Sequence, residues 1–192
     1  TERADIYIAI VDALAALHAV DPASVGLADY GKPGNYFERQ LRRWAEQYRA
    51  SETRPIAAMD ALIAALPARC PADDGAVALA HGDFRIDNLM FHRDEARVIA
   101  IVDWELSTLG HPLADLGYFC MALRLPRKPA LPGLAGLDRA ALGIPSEAEL
   151  LALYAERSGR PIPEDWPFVL AFSFFRLAAI AQGVAKRAEQ GN

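Results

Sequence analysis

The stretch HGDFRIDN, residues 81 to 88, is followed after a short interval by IVDWE at 101 to 105. Together they place two carboxylates (Asp83, Asp103), a carboxamide (Asn88) and an arginine (Arg85) beside apolar runs, where such groups are costly to bury unless something pairs with them. Carboxylate and carboxamide oxygens suit a hard cation such as Mg²⁺, which keeps several waters and is completed by nucleotide phosphates. Transfer of a terminal phosphoryl group asks for the same parts: an acceptor hydroxyl held in line, a carboxylate to receive its proton, and cations over the phosphate oxygens.

The elements that must hold these groups follow from periodicity. Ile6, Ile10, Leu14 and Leu17 recur at helical spacing until Asp21-Pro22, and Phe37, Leu41, Trp44 and Tyr48 mark a second amphipathic helix after a glycine-rich connection. Ile56, Met59, Leu62, Ile63 and Leu66 predict a third, with Thr53 as its cap and Pro55 in its first turn. The texture changes at Asp73-Asp74-Gly75. AVALA, NLMF and RVIAIVDW then read as three short strands separated by polar turns. Pro112 opens a helix through about Arg124, and a proline- and glycine-laden loop runs to Pro145. Ser146 with Glu149 forms a capping box for the next helix, and Asp165 caps a long one across residues 166 to 189. The predicted fold class is therefore α+β and mainly helical: helices over 1–72, a small β element over 73–104 carrying the catalytic and metal loops, and helices over 105–192.

Asp83 and Asn88 are five positions apart, the interval between Asp and Asn in the HRDxxxxN loop of kinases, and Asp103 follows an apolar strand where a kinase carries its magnesium-binding aspartate. HGDFRIDN and IVDWE, with LSTLGHPLADLGY directly after, resemble the aminoglycoside phosphotransferase and choline kinase family. The resemblance is nearest to the phosphotransferase domains related to those fused to acyl-CoA dehydrogenases; it is densest over residues 80 to 124 and extends to YFERQLRRWAEQY. It implies the C-terminal lobe of a kinase-like fold, with Asp83 as the base or positioner of the substrate hydroxyl, Asn88 and Asp103 as Mg²⁺ ligands, and ATP as phosphoryl donor. By the same resemblance His81 braces the loop through its imidazole, and Asp115 supports the loop by hydrogen bonding. As a residue alone, Asp115 also reads as a first-turn carboxylate favoured by the dipole of the helix opening at Pro112. Arg85 is either a cation over the transferring phosphate or a surface ion-pair partner. Glu105 is open to assisting the metal shell, contacting substrate or forming a salt bridge.

Composition excludes several other classes. A net charge of −5 disfavours nucleic-acid binding, which needs clustered Lys and Arg. The two cysteines, Cys70 and Cys120, form no CxxC and read as buried thiols. Residues 166 to 181 are interrupted by Arg176, so no membrane span is expected, and a cytoplasmic location is. His92 and His111 fit no zinc spacing and are read as solvated turn residues. None of the three lysines (Lys32, Lys128, Lys186) lies on a strand ahead of the catalytic loop, and no GxGxxG precedes it, so the nucleotide-clamping N-terminal lobe is expected to be absent from the sequence. Such a lobe alone should have little kinase activity, and its exposed apolar surface would favour dimerisation. The expected partners are a nucleotide and a small-molecule hydroxyl substrate, either a hydroxyacyl compound or an aminoglycoside-like one. A non-catalytic kinase-like binding module and a metal-dependent phosphohydrolase are the alternatives.

Overall fold

A computed structural model describes residues 2–128 and 131–191. The order is α1 (Glu2–His18), α2 (Tyr36–Ser51), α3 (Ala57–Ala65), β1 (Ala78–Ala80), β2 (Leu89–Phe91), β3 (Val98–Ile101), β4 (Thr108–Gly110), α4 (Leu113–Met121), β5 (Arg127–Lys128), β6 (Leu131–Pro132), α5 (Glu147–Ser158) and α6 (Trp166–Glu189). These fall into two compact units that cut across the sequential segments: one of residues 1–33 with 76–164, the other of 34–75 with 165–192.

The first unit holds the strands and the catalytic segment. Ile10, Val11 and Leu14 of α1 are fully buried, as are Leu116 and Cys120 of α4 and Leu150 and Tyr154 of α5. Removing apolar surface from water is the main favourable term in folding, so this shared core fixes where α1, α4 and α5 stand. Burial also pushes the Cys120 thiol up to about 12, against an opposing effect of Arg124, which makes it an inert core group.

The β element differs from the expectation of one three-stranded unit. β2 pairs antiparallel with β3 through Leu89–Ile101 and Met90–Ala100, with an irregularity before Phe91–Val98. β1 instead pairs with β4, Ala78 facing Gly110 and Ala80 facing Thr108. The fourth strand lies within the region expected to be helical, because LSTLG closes on a strand some thirty residues earlier and carries no alternating pattern of its own. The long loop before Pro145 also contains a short antiparallel pair, β5 with β6; residues 129 and 130 within it lie outside the described residues.

The second unit packs α2 with α6. Phe37 meets Phe168 and Phe172 edge-on at 5.4 and 5.2 Å, and Trp44 carries the buried Arg176 guanidinium over its ring at 5.3 Å. By length and composition α6 is the one helix among the described residues able to cross a membrane, but 56% of that window is buried inside the protein, as in a core helix.

Caps were partly misassigned from sequence. Thr53 does not cap α3, which starts at Ala57 after Ile56; its hydroxyl accepts a bond from Gln182 Nε2 of α6 at 3.1 Å instead. Asp165 occupies the N-cap position of α6 without a side-chain cap bond. Cys70, read as buried, is half-buried. The Ser146–Glu149 capping box is present in full, with both reciprocal bonds made.

Candidate active site

Two elements present the chemistry-bearing residues. Residues 81 to 88 run from the end of β1 into the single turn that enters β2, and Asp103 stands two residues past β3. Because β2 and β3 are hydrogen-bonded neighbours, Asn88 and Asp103 leave the same end of one hairpin. A further backbone bond, Val102 N–H to Asn88 O at 2.9 Å, extends the ladder to the residue before Asp103.

His81 ties the loop to this hairpin. Its ring is fully buried between Trp104, 4.8 Å away, and Phe84, 6.1 Å away. Nε2 faces the Val102 carbonyl at 2.9 Å, and a carbonyl only accepts, so Nε2 carries the proton. Nδ1 is then free to accept the Asp83 N–H at 3.2 Å. One imidazole thus holds the backbone of Asp83 on one side and of the residue before Asp103 on the other. Both ring nitrogens are engaged, which leaves His81 no free nitrogen to act as a base.

Gly82 is needed for the bend. Its φ of +83° lies in the left-handed region, and an added Cβ would sit 2.3 Å from the Leu106 carbonyl oxygen. The backbone of the loop therefore passes against the segment that follows Asp103. Asp103 itself has φ 67° and ψ 61°; with Asn35 it is one of two non-glycine residues with positive φ among the described residues. Asn and Asp are the L-residues that enter this region most readily, and such conformations gather at functional sites.

Beneath the loop lies a buried carboxylate. Asp115 of α4 is fully enclosed; its Oδ2 accepts the His81 N–H at 2.7 Å and its Oδ1 the Gly82 N–H at 2.8 Å. His18 Nε2 lies 3.3 Å from Oδ2. Burial pushes this carboxyl up, but the His18 contact and the two backbone N–H groups outweigh it and hold it below the usual carboxylate value. Both descriptions of Asp115 drawn from the sequence thus apply, since it lies in the first turn of α4 and bonds to the loop.

Hydrogen bonds decide which of the site's side-chain oxygens remain unengaged. Asn88 Nδ2 donates to Asp83 O at 2.9 Å and to Asp83 Oδ2 at 3.0 Å. That orients the Asp83 carboxylate and leaves Asn88 Oδ1 without a hydrogen-bond partner among the described residues. Asp103 is exposed and makes no ion pair or side-chain hydrogen bond among them. Two unengaged oxygen donors at one end of a hairpin form a donor set that fits Mg²⁺. Arg85 forms two bonds to Asp87 Oδ2, at 3.0 and 2.6 Å, with both side chains solvent-exposed. Glu105, exposed on the turn after Asp103, forms no salt bridge among the described residues.

Sequence reasoning missed His18 and Tyr154, whose hydroxyl is 2.8 Å from His18 Nδ1. The available signal was a lone histidine at the end of an apolar helical face. His111 needs correction too: it is buried, not a solvated turn residue, and its Nδ1 accepts the Leu113 N–H at 3.2 Å at the start of α4. His92 does sit in a turn, where its Nδ1 accepts the Asp94 N–H at 3.2 Å.

Comparison with known proteins gives a consistent result. The profile of the phosphotransferase enzyme family matches residues 1–153. A crystal structure from Ralstonia eutropha, described as a candidate aminoglycoside phosphotransferase, superposes with a TM-score of 0.95 at 54% identity, covering 100% of this chain and 58% of that one. Acyl-CoA dehydrogenase family member 10 of mouse is 46% identical and member 11 of rat 44%, each over 192 residues and the whole of this chain. The chain spans only 18% and 25% of those two relatives.

Proposed function

The chain belongs to the phosphotransferase enzyme family, and from that premise we propose that it transfers the terminal phosphoryl group of ATP to the hydroxyl of a small hydroxylated acyl compound. The observation that carries this reading is the Asp83–Asn88 pair, in which the carboxamide orients one carboxylate oxygen and leaves the other open to a substrate proton. Asp83 receives the proton of the acceptor hydroxyl as its oxygen bonds to the γ-phosphorus. The bond from that phosphorus to the β–γ bridging oxygen breaks, and ADP leaves. Asn88 and Asp103 are the residues that would hold Mg²⁺, which when bound neutralises charge on the phosphate oxygens. His81 and Asp115 fix the loop backbone, so the base is in place before substrate arrives. Arg85, held by Asp87, would need to exchange that partner to reach a phosphate.

The acceptor class rests on the relatives. Relatives that contain a matching segment are acyl-CoA dehydrogenase family members, which fits an acyl substrate. An aminoglycoside is a polycation and needs several unpaired carboxylates in its cleft. Of the acidic residues on and around α5, Glu147 is paired with Arg124, Glu156 with Arg157, and Glu149 is occupied in the capping box. Those three are engaged, but Asp103 and Glu105 at the site form no ion pair among the described residues, so the acyl reading rests on the relatives.

The test is ADP release by the intact protein across hydroxylated acyl thioesters, free hydroxy acids and aminoglycosides, with and without Mg²⁺. Magnesium-dependent turnover with an acyl acceptor is expected. Turnover confined to aminoglycosides would refute the acceptor class, and phosphoester hydrolysis without nucleotide would replace the kinase reading with a phosphohydrolase.

A further inference from the structure

We infer that His18 is a positioning residue for phosphoryl transfer, setting the catalytic loop through the Asp115 carboxylate; this rests on the reading of Asp83 as the base. The two oxygens of Asp115 hold two successive amides, His81 and Gly82, immediately before Asp83. Rotation of that carboxylate about its last torsion would disturb both bonds together, and this torsion is intrinsically broad for aspartate. A third contact restricts it further. His18 Nε2 supplies one at 3.3 Å, the longest of the three, so its contribution is chiefly one of direction.

The orientation of His18 is set from a third helix. Tyr154 of α5 places its hydroxyl 2.8 Å from His18 Nδ1, the two rings edge-to-face at 5.9 Å. Burial pushes the Tyr154 phenol up to about 12, so it stays protonated and can either donate to Nδ1 or accept from it. The Asp115 carboxylate can only accept, so Nε2 carries a proton and donates to it, whichever way the Tyr154–Nδ1 bond runs. The bonds form a continuous chain linking Tyr154, His18 and Asp115 to the loop amides, with His18 Nε2–H and both amide N–H groups converging on the carboxylate. His18 is 2% exposed, and Asp115 and Tyr154 are 0% exposed, so bulk water does not compete for these bonds. A histidine kept only for packing would not need both ring nitrogens engaged. Helices α1, α4 and α5 are by this route coupled to the position of Asp83.

The experiment compares His18→Leu, His18→Gln and Tyr154→Phe in the intact protein, reading kcat and KM separately and recording the amide proton shifts of His81 and Gly82 by NMR. His18→Leu removes the donor at similar volume and should lower kcat roughly ten- to a hundred-fold, with KM for nucleotide within about twofold, since a displacement near 1 Å is enough for such a loss. His18→Gln can donate to Asp115 and accept from Tyr154, so it should recover most of the rate. Tyr154→Phe should fall between. The two loop amides should shift in His18→Leu and stay near their wild-type positions in His18→Gln. Wild-type kcat in a folded His18→Leu, equal impairment in His18→Gln, or unmoved amides would each overturn the inference. If His18→Leu does not fold, unmoved amides in Tyr154→Phe would do the same. Should the wild-type protein transfer no phosphoryl group, it is the Asp83 reading that fails, and the amide shifts decide the role of His18 alone.

Discussion

Replacing Asp83 with alanine in the intact protein should lower kcat by roughly a hundred- to ten-thousand-fold, the range a positioned general base contributes, while nucleotide affinity changes little. The two effects separate because the substitution leaves the nucleotide side of the site intact. Asn88 loses its bond to the Asp83 carboxylate but keeps the one to the Asp83 backbone oxygen at 2.9 Å, and its own carbonyl still accepts from Val102 N–H. Its Oδ1 and the Asp103 carboxylate therefore stay where they are. His81 continues to hold the backbone N–H of residue 83, so the loop does not move. The deficit should consequently appear in kcat and in kcat/KM alike, the pattern of an interaction made in the transition state. A retained kcat would remove Asp83 from the mechanism.

The largest stability effect is expected at Asp115. An asparagine there has the same shape but only one accepting oxygen, and its amino group would meet either the Gly82 N–H or the pair of donors on the other side, His81 N–H and His18 Nε2. Removing one side of a buried, charge-assisted network typically costs about 3–5 kcal/mol, because the remaining groups have no water to turn to. Asp115→Asn should therefore show a markedly lower urea midpoint at pH 7. The pH dependence has a defined sign. The carboxyl is held below its usual value in the folded state, so the unfolded chain takes up its proton first as pH falls. The stability it contributes is present above about pH 4 and is lost as pH drops through the lowered folded value. The gap between wild type and Asp115→Asn should thus be widest near neutrality and narrow in acid. A gap that grows with acid would contradict the ionised, hydrogen-bonded carboxylate.

What could be read from the sequence was local. Asp83 and Asn88 lie in one loop, so their five-residue interval already places them within hydrogen-bonding reach once a single turn joins them. Asp103 was legible for a related reason: a hairpin returns the end of β3 beside the start of β2, and both strands carry β-branched or large apolar residues. The Ser146–Glu149 cap is contained within four residues and needs no tertiary partner.

What escaped was set by distant contacts. β4 exists because β1 offers it an edge, and nothing in STLG alone demands a strand. His18 is 97 residues from Asp115 and 136 from Tyr154, so no spacing rule could join them. Arg85 had two roles open, and its ion-pair partner Asp87, two positions away in the quoted motif, was not singled out.

The central claim is that Asn88 and Asp103 bind a nucleotide through a shared divalent cation. Calorimetric titration of ADP into the intact wild-type protein, Asn88→Ala and Asp103→Ala, each with Mg²⁺ and with EDTA, tests it most directly. The account predicts binding by wild type that requires Mg²⁺ and is weakened at least tenfold, about 1.4 kcal/mol, in each variant. Equal affinity in EDTA, or unaltered magnesium-dependent binding in both variants, would contradict it.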